Sequence, residues 1–137
     1  MRPGRLRATQ AVAAALAGLA CSGAGAAPCD DGQAMRASSG GWQVALLPAV
    51  RPLPVGRHFA LEVQLCGTAP AVRALRVDAD MPAHRHGMNY RTTVQALGTG
   101  RWRAEGLMLH MPGRWRFIVE FDTSGGVQRL THEVDVQ

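Results

Sequence analysis

Between residues 114 and 122 the chain reads RWRFIVEFD. Trp115, Phe117, Val119 and Phe121 fall on one side of an extended backbone, and Arg114, Arg116, Glu120 and Asp122 on the other. A period of two cannot lie down as a helix, because helical faces repeat every 3.6 residues. The same period recurs along the chain. HFALEVQLC (58 to 66) sets Phe59, Leu61, Val63 and Leu65 against Ala60, Glu62 and Gln64. WQVALL (42 to 47), AVRALRVDA (71 to 79), RTTVQAL (91 to 97), RWRAEGLMLHM (101 to 111) and VQRLTHEVDV (127 to 136) complete a set of seven short strands separated by Gly- and Pro-rich turns. No segment carries a helical period of useful length. An apolar face on each strand needs a second sheet to cover it, so the expected fold is all-β, an immunoglobulin-like β-sandwich of about seven strands. A barrel is the alternative.

The first residues follow a different pattern. Arg2, Arg5 and Arg7 precede an apolar run from Ala11 to Cys21, and small residues follow. This is the layout of a secretory signal peptide. The run is about 11 residues, against the roughly 20 needed to span a bilayer. Cleavage after Ala26 fits the small residues Ala24 and Ala26. Lipidation at Cys21 is the rival, although Gly18, Leu19 and Ala20 are a poor version of the pattern that precedes a lipidated cysteine. The expected organisation is a signal peptide at 1–26, a flexible segment at 27–41 and a sandwich domain at 42–137, exported to the periplasm with no transmembrane segment in the mature chain.

Without the leader, twelve arginines face ten acids, and the formal charge of +5 falls to +2. That balance, with no lysine at all, offers no phosphate-binding field, and nucleic acid is not an expected partner. Two cysteines remain, Cys29 and Cys66. In an oxidising compartment an even pair is a natural disulfide. It would tie residues 28 to 41 to the domain and contribute about 3–4 kcal/mol by the chain-entropy estimate.

Chemistry concentrates in DADMPAHRHGMNY, residues 78 to 90. His84 and His86, two apart in an extended segment, project to one side, between Met81 and Met88. Pro82 stiffens the approach and Gly87 permits a tight turn. If successive strands run antiparallel, the loops at 79 to 90 and 112 to 113 share one end of the sandwich. This brings His110 and Met111 beside the histidine pair, with His58 starting its strand there too. The same parity sends Cys66 to the opposite end, where the first strand begins. Imidazole with thioether and no free thiolate is a soft donor set that suits copper, above all Cu(I). The candidate metal ligands are therefore Met81, His84, His86, Met88, His110 and Met111, with Met108 a further donor beside His110. Asp78 and Asp80 either orient the histidines or cap the turn.

Each residue has a plainer role to set beside this one. An HxH pair in a loop is more often turn chemistry than a ligand pair, and Met81 and Met88 can plug the end of a core. Met111 shares the parity of Leu107 and Leu109, and His132 that of Leu130, Val134 and Val136, which points to a hydrogen-bonded histidine at the core margin. Trp42, Trp102 and Trp115 read as core. A blue-copper centre would require a thiolate that Cys66 does not offer. A two-histidine zinc or iron site using Asp78 or Asp80 stays open. No nucleophile sits in a hydrolase context and no H-E-x-x-H is present, so the chain does not read as an enzyme.

The two stretches DADMPAHRHGMNY and GLMLHMPGRWRF together resemble the YtkA-like family of small exported or membrane-anchored β-sandwich domains, which is similar in turn to the FixH-type periplasmic domains. The resemblance covers roughly Gly56 to Asp135. Its first motif falls on Met81, Pro82, His84, His86, Gly87 and Met88, and its second on His110, Met111, Pro112, Gly113 and Trp115. It implies an immunoglobulin-like fold outside the cytoplasm and a partner in copper handling or respiratory-oxidase assembly. The function expected on these grounds is a periplasmic copper-binding module that stores or passes the ion. The alternative is a structural or protein-interaction domain of the envelope without metal.

Overall fold

The computed structural model describes Cys29 and residues 32–67, 71–98 and 100–137; the proposed signal peptide and Cys21 lie outside the described residues. Among the described residues nine strands form: β1 Met35–Ser39, β2 Trp42–Pro48, β3 His58–Leu65, β4 Leu75–Met81, β5 His86–Gly87, β6 Thr93–Gly98, β7 Arg101–Met108, β8 Gly113–Thr123 and β9 Gly126–Val136. They make two antiparallel sheets, ordered β1-β2-β3-β7-β6 and β5-β4-β8-β9. The all-β sandwich expected from the alternation is therefore present, with two strands more than the seven expected.

Both extra strands are short. Met35–Ser39, expected to be part of a flexible segment at 27–41, instead pairs along its whole length with β2, from Met35 opposite Leu46 to Ser39 opposite Trp42. It offers only two inward apolar side chains, Met35 and Ala37, too few for alternation to mark it. The two-residue β5 has no period to read. It sets His86 opposite Met81 and Gly87 opposite Asp80.

The core lies between the layers. Val44, Leu46, Leu61, Val63 and Leu107 from one sheet meet Val77, Ala79, Trp115, Phe117, Val119, Phe121 and Leu130 from the other, all buried. Fully burying each large apolar side chain contributes about 1.5–3 kcal/mol. Phe59 meets Phe117 edge-on across the layers at 6.4 Å between ring centroids. Of the three tryptophans Trp115 alone is fully buried; Trp42 and Trp102 are partly buried and pack against the core.

The end-to-end parity expected from the sequence holds. His58 stands opposite Met108, and Asp80 opposite Arg116. The starts of β3 and β8 therefore share an end with the finishes of β7 and β4. Cys66 lies at the other end, where its N–H donates to the Gln43 carbonyl at 2.9 Å. Cys29 sits beside it at disulfide distance, Cα to Cα 5.2 Å. His132 occupies the inward register opposite Phe117, and its Nδ1 lies 2.8 Å from the Arg36 carbonyl of β1. A core-margin histidine thus ties the edge of one sheet to the other, as its parity suggested.

Candidate metal site

At the shared end, β4 finishes at Met81 and the chain reverses over residues 82 to 85. The His84 N–H donates to the Met81 carbonyl at 3.0 Å, and the Arg85 N–H to the Pro82 carbonyl at 3.3 Å. Arg85 takes the left-handed conformation, φ 56°. The expectation of an extended HxH segment is thereby corrected. His84 lies in a turn and His86 in a strand, and the reversal at Arg85 brings their rings to 5.8 Å. Gly87 is not the turn residue expected; it pairs within β5, and an added Cβ there would meet the Ala79 carbonyl at an ordinary 3.4 Å.

His86 shares the inner face of its sheet with its cross-strand partner Met81. Its Nδ1 lies 3.3 Å from the Gly87 carbonyl, which can hold a proton on Nδ1 and leave Nε2 as the free lone pair.

His110 arrives from the other layer. Leu109 makes a parallel bridge with Val55, and its carbonyl accepts the Gly56 N–H at 2.8 Å. The chain then leaves the sheet through Met111 and Pro112. Trp115 holds this corner: its indole N–H donates to the Met111 carbonyl at 2.9 Å. The rings of His86 and His110 stand 4.9 Å apart, inclined by 34°. Trp115 packs edge-on against both, at 5.9 Å and 5.3 Å. Nδ1 of His110 is buried and has no hydrogen-bond partner. A buried polar nitrogen left in this state costs about 1–3 kcal/mol.

No family model, curated protein or solved structure matches this chain.

The methionines divide. Met81 is 1% exposed and belongs to the core, with its methyl group so close under Gly113 that a Cβ there would stand 2.7 Å from it. Met88 and Met111 are partly buried at the core margin. The Met88 N–H donates to the Ala79 carbonyl at 3.0 Å, which continues the β5 pairing and returns Met88 to the face that carries His86. Met108 pairs with His58. His58 is exposed and meets Tyr90 edge-on at 4.8 Å.

Neither aspartate orients a histidine. Asp80 takes both arms of Arg116, at 2.9 and 2.6 Å, and Asp78 accepts the Ala79 N–H at 2.8 Å. The Asp80 carboxylate, through that hydrogen bond, holds the Arg116 pKa above its ordinary value. Asp80 faces outward because Met81, the next residue, faces in. Among the described residues no group of three or more His, Cys, Asp and Glu side chains is placed to hold a metal ion. What the fold assembles is a histidine pair on an aromatic floor, with His84 outside it and two thioethers nearby along the chain. Trp115 as that floor is the part sequence reasoning missed. Its place two residues beyond Gly113, on the inward parity, was the available signal.

Proposed function

We propose that this protein is an exported copper-binding module that stores the ion or hands it on. His86 and His110 are its principal donors, supplemented by the thioethers of Met88 and Met111. The observation that carries this reading is the buried, unpartnered Nδ1 of His110 beside the His86 ring. A bound ion would supply the missing partner. Two imidazoles sharing an ion at bond lengths near 2 Å put their ring centroids roughly 4.5–6 Å apart, and 4.9 Å falls within that interval. Imidazole and thioether together favour a soft ion over Ca or Mg. When bound, Cu(I) would contribute only coordination; the chain's own residues fix the donors, with Trp115 packed edge-on against both rings.

Export is supported by the arginine-led apolar leader and by the Cys29–Cys66 pair at disulfide distance. The resemblance to YtkA-like and FixH-type domains adds a partner class, a copper-handling or oxidase-assembly protein of the envelope. A second reading, a structural or interaction domain without metal, is favoured by the lack of a ready three-ligand group among the described residues.

Anaerobic Cu(I) titration of the purified protein separates the two readings, run beside His86→Ala/His110→Ala. The copper reading expects one ion bound per chain and at least a tenfold loss of affinity in the double variant. Equal, weak binding by both proteins would leave the interaction-domain reading standing.

A further inference from the structure

The three histidines are not equivalent. His110 keeps a nitrogen buried, His86 is half-buried in a strand, and His84 is exposed in the turn before it. The His86–His110 spacing suits a shared ion well, whereas the 5.8 Å between His84 and His86 lies near the upper limit. The His84 ring projects from a turn fixed by two backbone hydrogen bonds and by the left-handed Arg85, so it stays near the pair without being packed into it.

We propose that His84 is the hand-over ligand of this site rather than one of its resident donors. The proposal rests on the copper reading above and assigns the path by which the ion leaves. Tight binding makes spontaneous release slow. At picomolar affinity, association at about 10⁸–10⁹ M⁻¹s⁻¹ leaves a release rate of only about 10⁻⁴–10⁻³ s⁻¹. At such an affinity an associative route, with a new donor on the ion before the old ones let go, is the faster one. His84 is the imidazole that solvent and an incoming protein can reach. Its Nε2 or Nδ1 forms a bond to Cu(I) as a resident imidazole bond breaks. The ion moves to the rim, and a soft donor of the partner (thiolate, thioether or imidazole) then takes it. The copper keeps its charge throughout, no electron is transferred, and each bond broken is matched by one formed.

The test measures affinity and rate separately. Cu(I)-loaded protein is mixed anaerobically with excess bathocuproine disulfonate, a Cu(I) chelator standing in for the partner, and transfer is followed by stopped-flow absorbance. Affinity comes from equilibrium competition with the same chelator. For His84→Ala the expectation is an affinity within threefold of the unaltered protein and transfer slowed tenfold or more. His84→Met, which restores a soft donor, should recover most of the rate. His86→Ala should lose affinity instead. The proposal is overturned if His84→Ala transfers at the unaltered rate, or if its affinity falls as far as that of His86→Ala. Failure of the unaltered protein to bind Cu(I) overturns the copper reading, and this assignment with it.

Discussion

Trp115 donates its indole N–H to the Met111 carbonyl at 2.9 Å, and through that bond a fully buried core side chain positions the corner that carries His110. Trp115→Phe keeps an aromatic ring but removes the donor and part of the volume. It should cost about 1–3 kcal/mol in chemical denaturation, from a lost hydrogen bond and a small cavity. The His110 ring resonances should shift more than those of His132, which is held separately by Arg36. Equal shifts at both histidines would show that the indole does not set the corner.

Arg85 is the one described non-glycine residue with a positive φ, and it separates the two histidines of the turn. An L side chain there costs about 1–2 kcal/mol relative to an unstrained conformation. Arg85→Gly should leave stability unchanged or raise it by up to about 1 kcal/mol, whereas the β-branched Arg85→Val should lower it by about 1–2 kcal/mol. Urea midpoints of the two variants, read against the parent, decide this. A destabilised glycine variant would contradict the left-handed assignment.

Gly113 combines φ +129° with the Met81 methyl close above it. Gly113→Ala therefore meets both backbone strain and a contact, and about 1–3 kcal/mol of lost stability is expected. Gly41, at φ +82° with open space around it, separates the two effects. Its alanine variant should lose less, and thermal melts of the pair measure the difference.

The Cys29–Cys66 pair closes a separation of 37 residues that includes β1, β2 and β3. Cys29→Ser/Cys66→Ser should lower stability by about 2–4 kcal/mol, with hydrogen exchange rising first in Met35–Ser39. Unchanged protection of β1 would mean that its pairing with β2 and the His132 contact hold it without the clamp.

Asp135 receives both arms of Arg114 at 3.0 Å, and that hydrogen bond holds its carboxyl below the ordinary carboxylate pKa. A depressed pKa adds stability above the ordinary value and loses it as the pH falls through the folded-state value. Both side chains are exposed, so the effect on stability is slight, and an NMR titration is the better measure. The Asp135 midpoint should rise toward the ordinary range in Arg114→Ala.

The fold was legible wherever burial is one-sided. β8 and β3 announce themselves because every second side chain enters the core, and seven strands could be placed to within a few residues. β1 and β5 were not legible, because an edge strand with two inward apolar residues and a two-residue return leave almost no pattern. At the site, parity was enough to bring His84, His86 and His110 to one end. It was not enough to assign Asp80, whose role depends on Arg116, a residue 36 positions away, nor to foresee Arg85 as the hinge of the pair. Such features follow from cross-strand register, which local pattern does not encode.

His86 belongs to the four-stranded layer, and His110 follows closely on β7 of the five-stranded one. Their ring spacing is therefore a gauge of the gap between the layers at this end. Any breathing of the sandwich there pulls the two imidazoles apart. A group bridging them would act as a removable latch between the sheets, at the end opposite the Cys29–Cys66 pair.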